Sequence, residues 1–275
     1  MTSSFVALKR EAAAAVAIPA VLAILFLTPA LVFAVLVAAV SLAALWEFYR
    51  LAEKSGHPVA KTVGIGGGVL LFIAAPGFFP ILPPREFHLV LVIGLVGLLA
   101  AFAELAASVE VASAMAGAGS TVLGLVIIAL PSLAMLALRE FSPRAVLFLF
   151  LIVWGCDSFA YYVGRSFGRH KLAPIVSPNK TWEGSAGGLV GVTLIGAAAG
   201  TWWLMPELGP LRGAAAGALA SSAGQVGDLV KSLWKRGAGV KDSGVFLPGH
   251  GGFYDRIDSL LFAGPVLAAF VARLR

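Results

Sequence analysis

Apolar residues run along this chain in long unbroken stretches and do not alternate with polar ones. Strands of a membrane barrel would alternate, and a helix on the surface of a soluble domain would keep one polar face. The pattern therefore predicts helices that are apolar on all sides. The run from Ala12 to Trp46 carries no charge. It is longer than one bilayer span of about 20 residues and longer than the ~7–15-residue apolar segment of a secretory signal. Thr28-Pro29 then marks a hairpin between two helices. Read the same way, the chain has spans over 12–28, 29–49, 62–82, 87–106, 120–138, 144–164, 184–205, 211–231 and 257–273. The expected fold is an all-α integral membrane protein, a polytopic bundle of about nine transmembrane helices with a polar cavity facing the cytoplasm. N-terminal transmembrane helices are expected over 1–110 and a C-terminal transmembrane region, which holds most of the polar motifs, over 111–275.

Composition supports lipid as the main solvent. The chain is 59% hydrophobic and 12% charged, with a mean hydropathy of +0.94, whereas soluble domains carry about 25% charged residues. Its formal charge is +6. Arg50, Lys54 and Lys61 fall in one connection, Arg165, Arg169, Lys171 and Lys180 in another, and Lys235, Arg236, Lys241 and Arg256 in a third. With nine spans these share one side, which the positive-inside rule makes cytoplasmic; Arg139 and Arg144 fall on the other side and run against the rule. A bacterial inner membrane is the expected location. Nothing resembles a basic, aromatic-studded nucleic-acid module. The single cysteine, Cys156, can form neither an internal disulfide nor a thiolate cluster and is read as packing. The glycines of 64–68, Gly184 with Gly188, and Gly213 with Gly217 have the spacing of closely packed membrane helices.

The charged residues that remain are concentrated in a few stretches. Asp157 directly follows an apolar run; it is either a structural partner for Arg165 or Lys180 or the wall of a polar, nucleotide-binding cavity. Gly164 would close that helix well. Ser177-Pro-Asn-Lys-Thr-Trp-Glu-Gly184 reads as a loop in which Lys180 and Thr181 meet a phosphate at the start of the next span, or as a solvated loop with a threonine cap. Asp228, Lys231, Ser232 and Lys235 follow one helix face, paired within the helix or lining a cavity. Asp255 and Asp258, three apart, share a face and repel unless a cation or proton intervenes. Magnesium, held by one or two carboxylates and substrate phosphates, fits this pattern, and Asp228 could complete the pocket. A dipole-capping role for the pair is the alternative. His250 lacks a second histidine at ligand spacing, which argues against zinc. Gly249, Gly251 and Gly252 suggest backbone close to a ligand. Together these residues indicate phosphate chemistry at a membrane surface without naming a nucleotide.

The run Ser232-x-x-Lys-Arg-x-x-x-x-Lys-Asp-x-Gly-x-x-x-Pro-Gly-His-Gly-Gly-x-x-Asp-Arg-x-Asp258 resembles the signature of phosphatidate cytidylyltransferases, as do Asp157–Gly168 and Ser177–Gly184. The resemblance covers 154–260. It implies an integral-membrane nucleotidyltransferase of phospholipid biosynthesis. Such an enzyme joins CTP to phosphatidic acid, gives CDP-diacylglycerol and pyrophosphate, depends on Mg2+, has a second cation (K+ in some members), and is a homodimer. Carried onto this chain, it implies Asp228, Asp255 and Asp258 as cation ligands. Lys235, Arg236 and Lys241 would neutralise the triphosphate, Ser177, Lys180 and Thr181 would contact substrate phosphates, and Asp157 would stand on the nucleotide side. Ser232, His250 and Arg256 complete the substrate-binding set. Asp228, Lys235, Asp255 and Asp258 are the expected catalytic group. A CTP-dependent kinase of a lipid alcohol such as a polyprenol or phytol is one alternative. An ion or lipid transporter, with charges threading the bilayer, is another.

Overall fold

The computed structural model describes residues 19–75, 85–106, 111–202, 204–244 and 251–274. Long apolar runs become helices because a helix satisfies every backbone N–H and C=O within its own segment, which hydrocarbon demands. Residues 19–27 are helical (α1) and Ala30–Lys54 form α2. The break at Thr28-Pro29 falls where the sequence places it: the Thr28 hydroxyl returns to the Ile24 carbonyl at 2.6 Å, and Pro29 has no N–H to continue the helix. Then come α3 (Lys61–Ala74), α4 (Arg85–Ala106) and α5 (Val111–Gly124). A π turn over Leu125–Ala129 joins α5 to α6 (Leu130–Phe141). The wider turn accommodates Pro131, whose ring would otherwise press on the carbonyl four residues back.

Helix α7 (Pro143–Phe167) starts on a Ser142 cap, whose hydroxyl accepts from Arg144 N at 3.2 Å. It does not stop at Gly164. It runs on to Phe167, and Gly164 is a point of close packing instead, where a Cβ would sit 3.4 Å from the Gly184 Cα. The connection expected as a loop contains an antiparallel hairpin, β1 (Lys171–Ala173) with β2 (Ser177–Thr181), in which Lys171 pairs with Thr181 and Ala173 with Ser177. The remaining helices are α8 (Trp182–Thr201), α9 (Gly209–Gly237) and α10 (Tyr254–Ala272).

Among the described residues, four helices are long and apolar enough to cross a membrane: Ala30–Lys54, Ser113–Phe141, Pro143–Phe167 and Trp182–Thr201. Lys61–Ala74 and Ile93–Ala103 are shorter apolar helices. Large apolar side chains such as Leu31, Leu98, Phe102, Leu194 and Leu211 face outward, the inverse of a water-soluble surface.

Two buried apolar clusters hold the bundle together. One is centred on α7 and includes Phe148, Leu149, Ile152, Val192, Ala216, Ala263 and Leu267. The other joins α2 to the π turn and α10 through Leu45, Phe48, Tyr49, Leu125, Ile128, Tyr254 and Leu261. Small residues bring α8 and α9 into backbone contact. A Cβ on Gly217 would lie 2.6 Å from the Val192 carbonyl, and one on Gly213 would overlap the Gly196 carbonyl. Gly188 packs on Cys156 of α7, where a Cβ would lie 2.9 Å from the sulfur. This close triad of α7, α8 and α9, with α10 laid against α9, fixes the floor on which the charged residues stand.

Candidate active site

The last turns of α9 and the first turns of α10 put lysines and aspartates in alternation. Lys231 Nζ lies 2.9 Å from Asp228 Oδ1 one turn earlier, makes an ion pair with Asp258 Oδ2 across on α10, and stands 3.7 Å from Asp255 Oδ1. Lys235, one turn further on, reaches the same Asp255 oxygen at 2.6 Å. On the other flank Lys180, from β2, pairs with Asp228 Oδ2. Lys180, Asp228, Lys231, Asp255, Asp258 and Lys235 thus form one continuous network of three cations and three carboxylates. Lys231 and Asp258 are each only 6% exposed, a depth at which an unpaired charge costs several kcal/mol. The helix-internal Asp228–Lys231 pair weighed from spacing exists, but as one link of a network spanning three elements.

Asp255 does more than face Lys235. Its Oδ2 accepts from Ser243 N at 2.8 Å, Ser243 Oγ at 3.0 Å and Gly252 N at 3.2 Å. It therefore ties two points of the segment between α9 and α10, Ser243 and Gly252, to the first turn of α10. Gly251 has φ +73°, and a Cβ there would lie 2.6 Å from Asp255 Oδ2. The close backbone approach read at these glycines is present at Gly251 and Gly252, and what they approach there is carboxylates of the protein itself, Asp255 and Glu47. The N-terminal capping weighed as the alternative role for Asp255 and Asp258 is supplied by another residue. Glu47 of α2, 8% exposed, accepts from Phe253 N and Tyr254 N, both at 3.0 Å, and from Ser243 Oγ at 2.7 Å.

Beside this network opens a cleft of about 370 Å³. Its walls include Asp157, Tyr161, Arg165, Asn179, Lys180, Thr181 and Gln225. Asp157 feels the charges of Asp228, Lys180 and Lys231, so it belongs electrostatically to the same site. Arg165 donates to the Tyr161 hydroxyl at 3.1 Å. The Thr181 hydroxyl caps α8, accepting from Gly184 N at 3.1 Å. Glu183 accepts from the backbone of Arg169 and His170 and meets the His170 ring at 2.6 Å, which holds the hairpin against α8. Ser177 is half-buried at the start of β2 and Ser232 half-buried on α9, while Lys241 is exposed. Arg236 is also exposed and reaches the hairpin through the Val176 carbonyl at 3.3 Å. His250 and Gly249 lie outside the described residues. A second, apolar cleft of about 200 Å³ lies between α2, α6, α7 and α10, lined by Phe33, Val37, Met135, Phe150, Trp154 and Arg256 among others.

Whether a divalent ion suits the site depends on its donors. Among the described residues no three His, Cys, Asp or Glu side chains gather closely enough to hold a metal by themselves. Lysines stand between the carboxylates. Magnesium needs only one or two carboxylates when substrate phosphates supply the other ligands. Asp228 and Asp258 share Lys231 as a partner, so their oxygens already converge on one positive point. The donor set fits a phosphate-bridged hard cation and does not fit a self-contained metal cage.

The cytidylyltransferase family model matches residues 8–274. The chain belongs to that family. It is 41% identical over 167 residues to a phosphatidate cytidylyltransferase of Brucella abortus, covering 57% of this chain and 58% of the relative. It is 44% identical over 136 residues to one of Staphylococcus epidermidis, covering 47% and 49%, and 41% identical over 152 residues to one of Pseudomonas aeruginosa, covering 54% and 56%. The matches thus span about half the length of these relatives. Sequence reasoning passed over Glu47, Ser243 and the central place of Lys231. A carboxylate inside an apolar span is itself a signal, and Glu47 lies within the span expected at 29–49.

Proposed function

We propose that this chain is a phosphatidate cytidylyltransferase, joining CTP and phosphatidic acid to give CDP-diacylglycerol and pyrophosphate. The observation that carries the reading is the Lys180–Asp228–Lys231–Asp258 network, set at the end of an apolar bundle beside a polar cleft. Cytidylyl transfer brings two anions together, so the site must supply positive charge without repelling its own carboxylates. A phosphatidate phosphate oxygen attacks the α-phosphorus of CTP. A new P–O bond forms as the bond to the β-phosphate oxygen breaks, and pyrophosphate leaves with the electron pair. Bound Mg2+ would shield the phosphates and stabilise the leaving pyrophosphate.

The chain's own residues have separate tasks in this scheme. Lys180 and Lys235 exchange their carboxylate partners for triphosphate oxygens, which would free Asp228 and Asp255 as magnesium ligands, with Asp258 close by. Arg236, Lys241, Ser177, Thr181 and Ser232 bind further phosphate oxygens, as does His250. Asp157 lines the nucleotide side. Arg256, on the wall of the apolar cleft, meets the lipid phosphate while an acyl chain follows the cleft into the bilayer.

The finer architecture belongs to the same proposal: about nine spans in a bacterial inner membrane, with the site on the cytoplasmic side where Lys and Arg accumulate. The family resemblance supports a homodimer and a second cation such as K+. Purified protein given CTP labelled at the α-phosphate and vesicles containing phosphatidate should move label into lipid. Label entering lipid only from the γ-phosphate, with a lipid alcohol as acceptor, would establish the kinase reading instead.

A further inference from the structure

We infer that Glu47 is a positioning residue for the reaction, setting the place of Asp255 and of the start of α10 through Ser243. The anchoring rests on geometry alone; its consequence for turnover rests on the cytidylyltransferase reading above.

Glu47 belongs to α2, in the half of the chain without family motifs, and is 196 residues from Ser243 and 207 from Tyr254. The first N–H groups of a helix have no acceptor within it, and a carboxylate placed there is favoured by the helix dipole. Glu47 fills that role for α10 with both oxygens: Oε1 accepts from Phe253 N and Oε2 from Tyr254 N. Gly244 and Gly252 lie so close that a Cβ on either would run into the Glu47 carboxylate. The backbone at two points of the α9–α10 connection, Gly244 and Gly252, is therefore moulded around this one side chain.

The link onward to the charged network is Ser243. Its Oγ stands 2.7 Å from Glu47 Oε2 and 3.0 Å from Asp255 Oδ2, with one hydroxyl proton between two carboxylates. Asp255 in turn faces Lys235 at 2.6 Å. Glu47 touches no group of the proposed catalytic set directly except through this bridge and the α10 backbone. A shift of Glu47 moves Asp255, and Asp258 one turn on, relative to Lys231 and Lys235 of α9.

Glu47→Gln keeps the size of the side chain. Each oxygen takes a backbone N–H, so the amide NH2 opposes a donor in either orientation. Hydrogen exchange of the full chain in detergent or nanodiscs, read on the peptide covering 251–258, should be roughly ten- to hundredfold faster in this variant. Its kcat for cytidylyl transfer should fall roughly tenfold or more, with KM for CTP moving less than about threefold. Ser243→Ala should lower kcat in the same way, and the double variant should be no slower than the slower single variant. Unchanged exchange in Glu47→Gln would overturn the anchoring. Faster exchange with unchanged kcat, or additive losses in the double variant, would overturn the positioning role. Should Glu47→Gln fail to accumulate, Glu47→Asp, which withdraws the carboxylate by one methylene from Phe253 N and Tyr254 N, carries both measurements with the same expected outcomes. An unsubstituted chain that transfers no label would sink the functional reading instead, and the exchange rates would still decide the anchoring.

Discussion

Lys231 of α9 reaches across to Asp258 of α10, and the two form an ion pair in which both partners are almost wholly withdrawn from solvent. Asp228 and Asp255 keep other cationic partners, Lys180 and Lys235. Asp258 has no such second lysine within the network. Lys231→Ala should therefore leave one buried carboxylate uncompensated and cost about 3–5 kcal/mol. Replacing both partners, as Lys231→Met with Asp258→Leu, should recover most of that stability without recovering turnover. Thermal unfolding in detergent, followed beside the label-transfer assay, separates the two effects.

Lys180 stands on the hairpin, at the edge of the cleft, and is only partly buried with its partner Asp228. Its pair contributes little to stability, on the order of 1 kcal/mol or less. Its removal should instead be felt by the nucleotide. Lys180→Ala is expected to lower kcat/KM for CTP by about 1.5–3 kcal/mol, roughly ten- to hundredfold, while the unfolding midpoint stays near that of the unsubstituted protein. An unchanged kcat/KM would remove Lys180 from the phosphate set.

Asp228 pairs with two lysines, one of which, Lys180, lines the cleft. Asp228→Asn retains shape and loses charge. Turnover should drop by roughly a hundredfold or more, consistent with losing a ligand to the ion that stabilises the leaving group, and the protein should still be extracted folded. EDTA should abolish activity in the unsubstituted chain, and added Mg2+ should restore it. Activity that is indifferent to chelation would contradict the cation assignment.

Two glycine substitutions test the packing. A Cβ on Gly188 would lie 2.9 Å from Cys156 Sγ and 3.0 Å from the Cys156 carbonyl oxygen, and the backbone there cannot yield cheaply. Gly188→Ala should destabilise by about 1–3 kcal/mol. Gly66, in α3, has nothing within 4 Å of the same position. Gly66→Ala should leave stability unchanged or raise it by about 0.5–1 kcal/mol. Unfolding midpoints of the two variants measured side by side decide the matter.

Much of the molecule was legible along the chain. The break at Thr28-Pro29, the apolar helices that follow, and close helix packing at Gly184, Gly188, Gly213 and Gly217, though not the helices they pack on, can be read from local composition and spacing. So can the shared face of Asp228, Lys231 and Lys235. These features depend on neighbours within a turn or two, or on a solvent that accepts no unsatisfied backbone group. The β1–β2 hairpin and the continuation of α7 past Gly164 were not legible. Pairing across a connection and a glycine pressed against another helix depend on what lies opposite, which spacing does not record.

The sequence by itself determined that this is a helical chain dissolved largely in lipid, that its charged residues gather near α9 and α10, and that those residues match one family. Tertiary structure alone decided how those charges pair. Lys231 separates the carboxylates, Lys180 arrives from the hairpin, and Glu47 comes from a helix about 200 positions away to hold the last one in place. The physical reason is range. Helix formation and burial are settled by adjacent residues and the surrounding solvent, whereas an ion pair or a cap needs two groups within a few ångströms, and only the packed bundle brings them there.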